Sequence, residues 1–588
     1  MNKIASLIAD ALRLAKPYFV SAEKWKAWGL LSAVIALSLV GVYLNVVYTY
    51  WYKVAYNALQ TKNAPAFWSS MFTYRIVHGF PYLVPGFSEI AALAIIAAVY
   101  AFYLSQMLQI EWRRWLTTKF ISDWLRDRAY YRISLEARAG TPLDNPDQRI
   151  ADDIRAFVGS NLTLGVNLLS NLVTLFSFVG ILYLIGPPLR IGSVVIHGYL
   201  VWAALIYSIA GTYFTQLIGR KLVPLTFQEQ QVEADFRFNL IRIREHTEQI
   251  ALYRGENEEA GGLAQRFHAI YVNWWKIMKR TKALNFFTIG FAQIAVVFPI
   301  AVAAPNYFSG IFTLGVMMQI VSIFGNVQSA LSWFVTTYPD LVAWRATIQR
   351  LDGFERAVRG AHFQEEPTPL TMTAGGTSLR LEHLEVSMPD GDVFLEEPRL
   401  EIKAGEPMAI TGASGVGKST LLRVIAGIWP FMRGEIAKPD GKLMFLPQHP
   451  YLPLGTLKRA AVYPLQEDDV PDKTVEAALE DVGLQTLVGH LGDVDNWTLR
   501  LSGGEQQRLA LARVLIAAPD WVFMDESMSA LEEDRIPSLF ATLRKRLPRA
   551  QIISMTHQNT VVALHARQAE VVAGSDGRRR IAVLGVPG

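Results

Sequence analysis

The chain has 588 residues, 51% of them hydrophobic and only 18% charged, with a formal net charge of +4 and a mean hydropathy of +0.21. That length calls for several domains, and that composition is too apolar for an average soluble enzyme. The absence of cysteine excludes disulfides, thiolate metal sites and cysteine nucleophiles, and the small charge gives no argument for a nucleic-acid partner.

The first 26 residues carry Ile4, Leu7, Ile8, Ala11, Leu12 and Ala15 on one helical face, with Lys3, Asp10 and Arg13 elsewhere. This is an amphipathic pattern without the continuous apolar stretch of a signal peptide, so we expect an interfacial helix on a lipid bilayer. Residues 27–350 then hold six apolar runs: Ala27–Tyr52, Phe87–Ile110, Val158–Ile185, Val194–Ile218, Leu284–Pro305 and Leu314–Thr337. About 20 apolar residues cross a bilayer core as a helix, so six transmembrane spans are predicted. Gly186-Pro187-Pro188 marks a short loop between the third and fourth.

Among the predicted outer loops the cations are Lys53, Lys62, Arg75 and Arg190. The opposite side holds the Arg113–Arg155 and Arg220–Lys282 segments and the basic N-terminus. Both termini are therefore expected in the cytoplasm. The two basic segments are long, polar and helical in pattern. Asp144-Asn145-Pro146-Asp147 reads as a capped helix start at the tip of the first, equally compatible with a coupling helix or a surface turn. Polar residues within spans, Asn45, Asn167, Asn171, Gln293, Gln319 and Asn326, are candidates for a wet cavity or for interhelical hydrogen bonds. Glu89 stands near the outer end of span two, where a headgroup position is the plainer reading.

A linker is expected over residues 351–377, with its breaker-rich part at Ala361–Ser378, and a soluble α/β domain over 378–588. In that domain Met408-Ala409-Ile410-Thr411 reads as a strand leading into Gly412-Ala413-Ser414-Gly415-Val416-Gly417-Lys418-Ser419-Thr420. A strand, a glycine-rich turn and a helix at this spacing form a phosphate-binding loop. Its backbone N–H groups converge on phosphate, Lys418 reaches the terminal phosphates, and the Ser419 hydroxyl suits Mg²⁺. Trp521-Val522-Phe523-Met524-Asp525-Glu526 is an apolar strand ending in two acids, at the strand end where α/β sheets hold ligands.

Leu501-Ser502-Gly503-Gly504-Glu505-Gln506-Gln507-Arg508, following that phosphate loop, resembles the signature of the ABC ATPases. The resemblance implies ATP and Mg²⁺ as cofactors and an α/β nucleotide-binding domain. It assigns Asp525, with Ser419, to Mg²⁺ and Glu526 to the attacking water. Gln448, in Leu446-Pro447-Gln448, matches the glutamine that senses Mg²⁺, and His557, in Met555-Thr556-His557, matches the histidine that contacts the γ-phosphate. Ser502, Gly503, Gly504 and Glu505 would complete the ATP bound at Lys418 of a second copy. Two positions depart from the pattern. Met388 stands where an aromatic residue normally stacks on adenine, and Glu532 replaces aspartate in Ser529-Ala530-Leu531-Glu532.

Glu111-Trp112-Arg113-Arg114-Trp115-Leu116-Thr117, the run from Asp144 to Ile150, Glu233–Phe238 and Glu248–Glu256 resemble the SbmA/BacA-type membrane domain, shared with peroxisomal ABCD half-transporters. The resemblance implies an all-α six-helix membrane domain of ABC-exporter type, fused to the ATPase. It further implies a homodimer in the bacterial inner membrane importing peptides or other bulky hydrophilic cargo. Export of lipid, acyl-CoA or drug-like compounds is the alternative. Six spans argue against a tethered ATPase serving translation or DNA repair, and cargo accumulation against a gradient would exclude a receptor with a regulatory ATPase.

Overall fold

The computed structural model describes residues 2–72, 75–76, 83–138, 145–186, 188–191, 194–363, 370–374, 376–388, 391–405, 407–574 and 578–584. The chain divides into two compact units: Met1–Ser122 with Asn145–Glu355, and Asp123–Asp144 with Arg356–Gly588.

The first unit is helical. Six helices among the described residues are long and apolar enough to cross a membrane. Several continue well past the hydrocarbon. The Glu256–Phe308 helix has 53 residues, which at ~1.5 Å per residue is about 80 Å against a bilayer core of about 30 Å. The fourth span begins later than hydropathy implies. Val194–Ile196 pairs antiparallel with Leu189–Ile191 as a hairpin, and the helix starts at Tyr199 after Gly198 at φ 62°. β-branched Val194, Val195 and Ile196 are as apolar as a helix start but favour the strand, a distinction a hydropathy window does not make. Of the predicted capped start, Asp144 lies outside the described residues, but a helix does begin at Pro146 with the proline in its first turn, and it runs on as the Pro146–Ile185 helix of span three rather than as a short separate one.

The N-terminal helix, Asn2–Val20, buries Ala11, Leu14 and Tyr18 along one stripe and leaves Ile8 and Leu12 exposed. Tyr18 stacks on Trp112, with ring centroids 5.9 Å apart. The predicted apolar face is thus split between protein packing and an outward edge suited to the bilayer interface. Between spans, Asn45 Nδ2 donates to Asn326 Oδ1 (2.6 Å), and Asn171 Nδ2 donates to its own helix at Asn167 O (2.8 Å). Gln319 is buried, whereas Asn167 and Gln293 are exposed. Glu89 Oε2 accepts the Gly86 N–H, so its carboxylate caps the helix that starts at Phe87.

A buried ionic group holds the N-terminal end of the third span's helix. Arg149 and Asp153 lie on a π-helical turn, and Asp153 accepts from Arg149 Nη1 (2.6 Å), Arg350 Nε (2.9 Å) and Arg350 Nη2 (2.6 Å). Removing the one acid would break all three of these contacts to two guanidinium groups at a buried site. Asp153→Asn is expected to cost about 3 kcal/mol, read as a lower midpoint in thermal inactivation of the full chain.

Among the described residues the second unit is built on a ten-stranded sheet. Leu443–Leu446, Trp521–Asp525, Gln551–Met555, Met408–Thr411 and Arg567–Ala573 are parallel neighbours in that order. Every residue of Trp521–Asp525 and Gln551–Met555 is buried, as strands covered on both faces require. Ser378–Ser387 and Val393–Lys403 form an antiparallel wing. Met408–Thr411 lies between two strands that follow it in sequence, so the strand order reverses there. Ligands of open α/β sheets bind at that reversal, beyond the strands' carboxyl ends. Residues Ala129–Arg138 belong to this unit: Leu135, 3% exposed, packs in the same core as Leu421, Leu422, Val424 and Ile425.

One buried base in this unit gives a pH prediction. His565 is 4% exposed, packs on Phe540 and contacts Val561 O through Nδ1 (2.8 Å). Burial pushes its imidazole down to about 4, against about 6.5 in an unfolded chain. The unfolded state then takes up a proton that the folded state refuses. His565's contribution is therefore full above about pH 6.5 and lost as pH falls toward 4, at most about 3 kcal/mol. Thermal midpoints measured from pH 7 to 4.5 should fall less steeply in His565→Phe than in the parent chain.

Candidate nucleotide site

Four adjacent parallel strands deliver Lys418, Ser419, Gln448, Asp525, Glu526 and His557 to one edge of the sheet. The Met408–Thr411 strand ends in the glycine loop, and the Lys418–Ala426 helix follows. Gly412, Gly415 and Gly417 have φ of 141°, 76° and 105°, a region that residues with a Cβ rarely adopt. At Gly417 a Cβ would also stand 2.7 Å from the Phe394 ring. Ala413, Ser414 and Gly415 form the exposed rim, and Val416 and Thr420 are half-buried. Lys418, 5% exposed, donates from Nζ to Gly412 O (2.8 Å) and Ala413 O (3.1 Å). With those two carbonyls the ammonium closes the loop into a ring that opens onto the helix N-terminus.

Ser419 Oγ donates to Asp525 Oδ1 across 3.0 Å. Burial holds the Asp525 carboxyl above its usual range, against the Ser419 hydrogen bond, and the neighbouring Glu526 charge adds to the rise. A hydroxyl and a buried carboxylate at a helix N-terminus are hard oxygen donors of the kind Mg²⁺ takes together with phosphate.

Glu526 follows at φ 47°, with its N–H donated to Met555 O on the next strand (2.9 Å). Left-handed backbone is costly for a glutamate and persists where the surroundings over-determine it. Here the carboxylate is held from both sides: Gln448 Nε2 donates to Oε2 (3.1 Å), and His557 Nδ1 lies 2.9 Å from Oε1. A carboxylate oxygen accepts, so the contact selects the Nδ1–H form of His557 and leaves Nε2 for another partner. Gln448, Glu526 and His557 follow three neighbouring strands, Leu443–Leu446, Trp521–Asp525 and Gln551–Met555, which is why residues so distant in sequence meet.

Ser502 is the N-cap of the Gly503–Ala517 helix. Its Oγ accepts the Glu505 N–H, and Glu505 Oε2 accepts from Ser502 N (2.9 Å) and Ser502 Oγ (2.8 Å). This capping box lowers the Glu505 carboxyl below its usual range, chiefly through the Ser502 N–H. A Cβ on Gly504 would lie 3.0 Å from Ala530 O, tighter than most such contacts, so a side chain there would press on the backbone at Ala530. Met388 is 42% exposed, and its N–H donates to Asp392 O (2.9 Å).

Gln507 lies within the Leu501–Arg508 run, where the family pattern assigns it no separate role. Its side chain is 4% exposed, donates to Ser529 Oγ (3.3 Å), and accepts the Ala530 N–H (2.8 Å). Its Nε2 also lies 3.4 Å from Glu526 O and from Gln448 O, so one amide joins the signature helix to both flanks of the acid. Its position four residues past Gly503 places it one turn along the helix, a signal available in the sequence but without meaning until the strand ends are in place.

A phosphate-loop sheet carrying a self-capped Ser-Gly-Gly helix, in a chain with six membrane-crossing helices, defines an ABC half-transporter that hydrolyses ATP. The family models described as "ABC transporter transmembrane region 2" and "ABC transporter" match residues 14–308 and 395–529, and the chain belongs to this family. It is similar to the inner membrane ABC transporter ATP-binding protein YddA of Escherichia coli (31% identity, covering 94% of this chain and 95% of that protein). It is also similar to ABC transporter D family member 2, chloroplastic, of Arabidopsis thaliana (30%, covering 97% and 87%). Its fold matches a bacterial Atm1-family ABC exporter solved with ATP bound (TM-score 0.70, 17% identity, 95% of each chain).

Proposed function

We propose that this half-transporter acts as a homodimer in a bacterial inner membrane, both termini cytoplasmic, and imports peptides or other bulky hydrophilic compounds. The observation that carries the ATPase part is Glu526 held between Gln448 and His557 beside the Lys418 loop. Lys418 would exchange its two loop carbonyls for phosphate oxygens, and the loop N–H groups would orient the chain of phosphates. Ser419, Asp525 and Gln448 would hold Mg²⁺, whose charge offsets that of the phosphates. Glu526 would take the proton of the attacking water, with Gln448 and His557 fixing its two oxygens, and His557 Nε2 would face the γ-phosphate. Met388 would cover the adenine face through its thioether.

Dimerisation rests on the signature helix, whose cap is spent on its own Glu505, and on exposed polar residues in the spans. Asn167 and Gln293 are exposed in a single copy, and intramembrane polar residues normally face a bundle interior or water. The inner-membrane placement follows YddA, and the termini follow the Lys and Arg distribution. Direction is tested in proteoliposomes whose nucleotide domains face outward, preloaded with a fluorescent hydrophilic peptide. Import predicts ATP-driven loss of peptide from the lumen; ATP-driven accumulation inside would overturn it and favour the exporter reading.

A further inference from the structure

The cytoplasmic segment that joins spans two and three makes an unusual turn. Asp127 and Arg128 have φ of 50° and 60°, two successive non-glycine residues in the left-handed region. Such a pair is strained and endures only where contacts on both sides hold it. Those contacts are visible. Arg128 Nη1 donates to Gly427 O (3.3 Å), the C-cap carbonyl of the Lys418–Ala426 helix. Four residues on, Arg132 Nη1 donates to Ala361 O (2.6 Å), in the last turn of the Tyr338–Phe363 helix that follows span six. His362, beside it, contacts Asp123 O through Nε2 (2.9 Å) and lies 3.4 Å from Asp127.

Two arginines one helical turn apart thus meet carbonyls at the ends of two different helices. A helix C-terminus carries partial negative charge and unpaired carbonyls, so a guanidinium is well matched there. The helix that Arg128 meets is short. Lys418 and Ser419 stand at one end of its nine residues and the Arg128 contact at the other, a separation of about 13 Å along one rigid element. Leu135 is buried in the same hydrophobic core as Leu421, Leu422, Val424 and Ile425 of that helix. The charge is also placed against a local cost. Lys438 is held below its usual range by burial first and by the Arg128 charge second, so Arg128 sits near another cation.

We propose that Arg128 is a positioning residue for ATP binding. It fixes the C-terminal end of the phosphate-loop helix and, with Arg132, ties that helix to the segment leading from span six. Filling the phosphate loop then alters the Ala129–Leu135 turn through this contact. The inference rests on the ATP-site reading above.

The test uses the full chain in lipid nanodiscs, comparing the parent with Arg128→Ala, Arg128→Lys and Arg126→Ala. Arg126 is on the same turn and pairs with the adjacent Asp127, so it serves as the charge control. Loss of one helix-terminal charge contact predicts a KM for ATP about fivefold higher in Arg128→Ala, with kcat within about twofold, partial recovery in Arg128→Lys, and no change in Arg126→Ala. A purely structural role would instead lower kcat and folded yield with KM unmoved, and that result, or a parent-like KM, overturns the proposal. Hydrogen exchange at saturating ATP, in an Glu526→Gln background, reads the coupling directly. ATP should slow exchange at residues 412–420 with or without Arg128, and at 129–135 only with it. Protection at 412–420 without any response at 129–135 sinks this inference alone; no protection at 412–420 sinks the ATP-site reading beneath it.

Discussion

Replacing Glu526 with glutamine should abolish steady-state phosphate release while leaving ATP bound. A positioned general base is worth about 10²–10⁴-fold, and Glu526 is the acid to which the structure commits its surroundings. Gln448 and His557 occupy one oxygen each, and the N–H is fixed on Met555 O. Glutamine keeps the length and one acceptor, so the φ of 47° and the strand contacts survive while proton uptake does not. Asp525 and Lys418 remain, so binding is expected to persist. The check is phosphate release from proteoliposomes together with retention of labelled ATP after rapid desalting. Hydrolysis within tenfold of the parent would remove Glu526 from the base role.

The phosphate loop and the acid-ended strand of the candidate site were legible in the sequence because each is local. Gly412–Thr420 is a strand, a turn and a helix start in consecutive residues, and Trp521–Asp525 is an unbroken apolar run closed by acid. Backbone chemistry of that kind is written at the positions that perform it. What the sequence did not disclose depends on which segments become neighbours. Gln507 has meaning only once its helix packs beside the strand ends that carry Gln448 and Glu526. Leu135 lies in a polar stretch among membrane spans yet is buried in the soluble unit's core. Hydropathy found the six spans but advanced the fourth over Val194–Ile196, because apolar strands and apolar helix starts look alike in a window average. Of the intramembrane polar residues, the Asn45–Asn326 pair resolved as an interhelical hydrogen bond, and Glu89 as a helix cap. Neither outcome needs a cargo.

The second large effect concerns which copy completes each site. Lys418→Ala removes the cation of the phosphate loop, and Gly504→Asp puts a carboxylate where Ala530 O already lies 3.0 Å from any Cβ. Either change alone should eliminate nucleotide trapping in a homodimer, since both sites carry it. A heterodimer of the two variants separates the alternatives by symmetry. If each signature serves the loop of its own chain, both sites carry one lesion and trapping stays absent. If the signature crosses to the partner, one site collects both lesions and the other has an intact Lys418 loop facing an intact Ser502 helix. One of the two sites then traps ATP, about half the parent's occupancy, as expected for a two-fold assembly with a self-complementary interface. Heterodimers isolated through two different affinity tags, incubated with labelled ATP and magnesium, give the answer by stoichiometry without requiring turnover. Glu505 already satisfies the Ser502 hydroxyl and N–H, so incoming phosphate must replace an intrahelical contact at an exposed helix end. An anion at a helix N-terminus can do so, because it takes over the same N–H groups and the same favourable dipole. Loss of all trapping in the heterodimer, with both chains folded and paired, would place signature and loop in one chain and leave the dimer to rest on the polar residues of the spans alone.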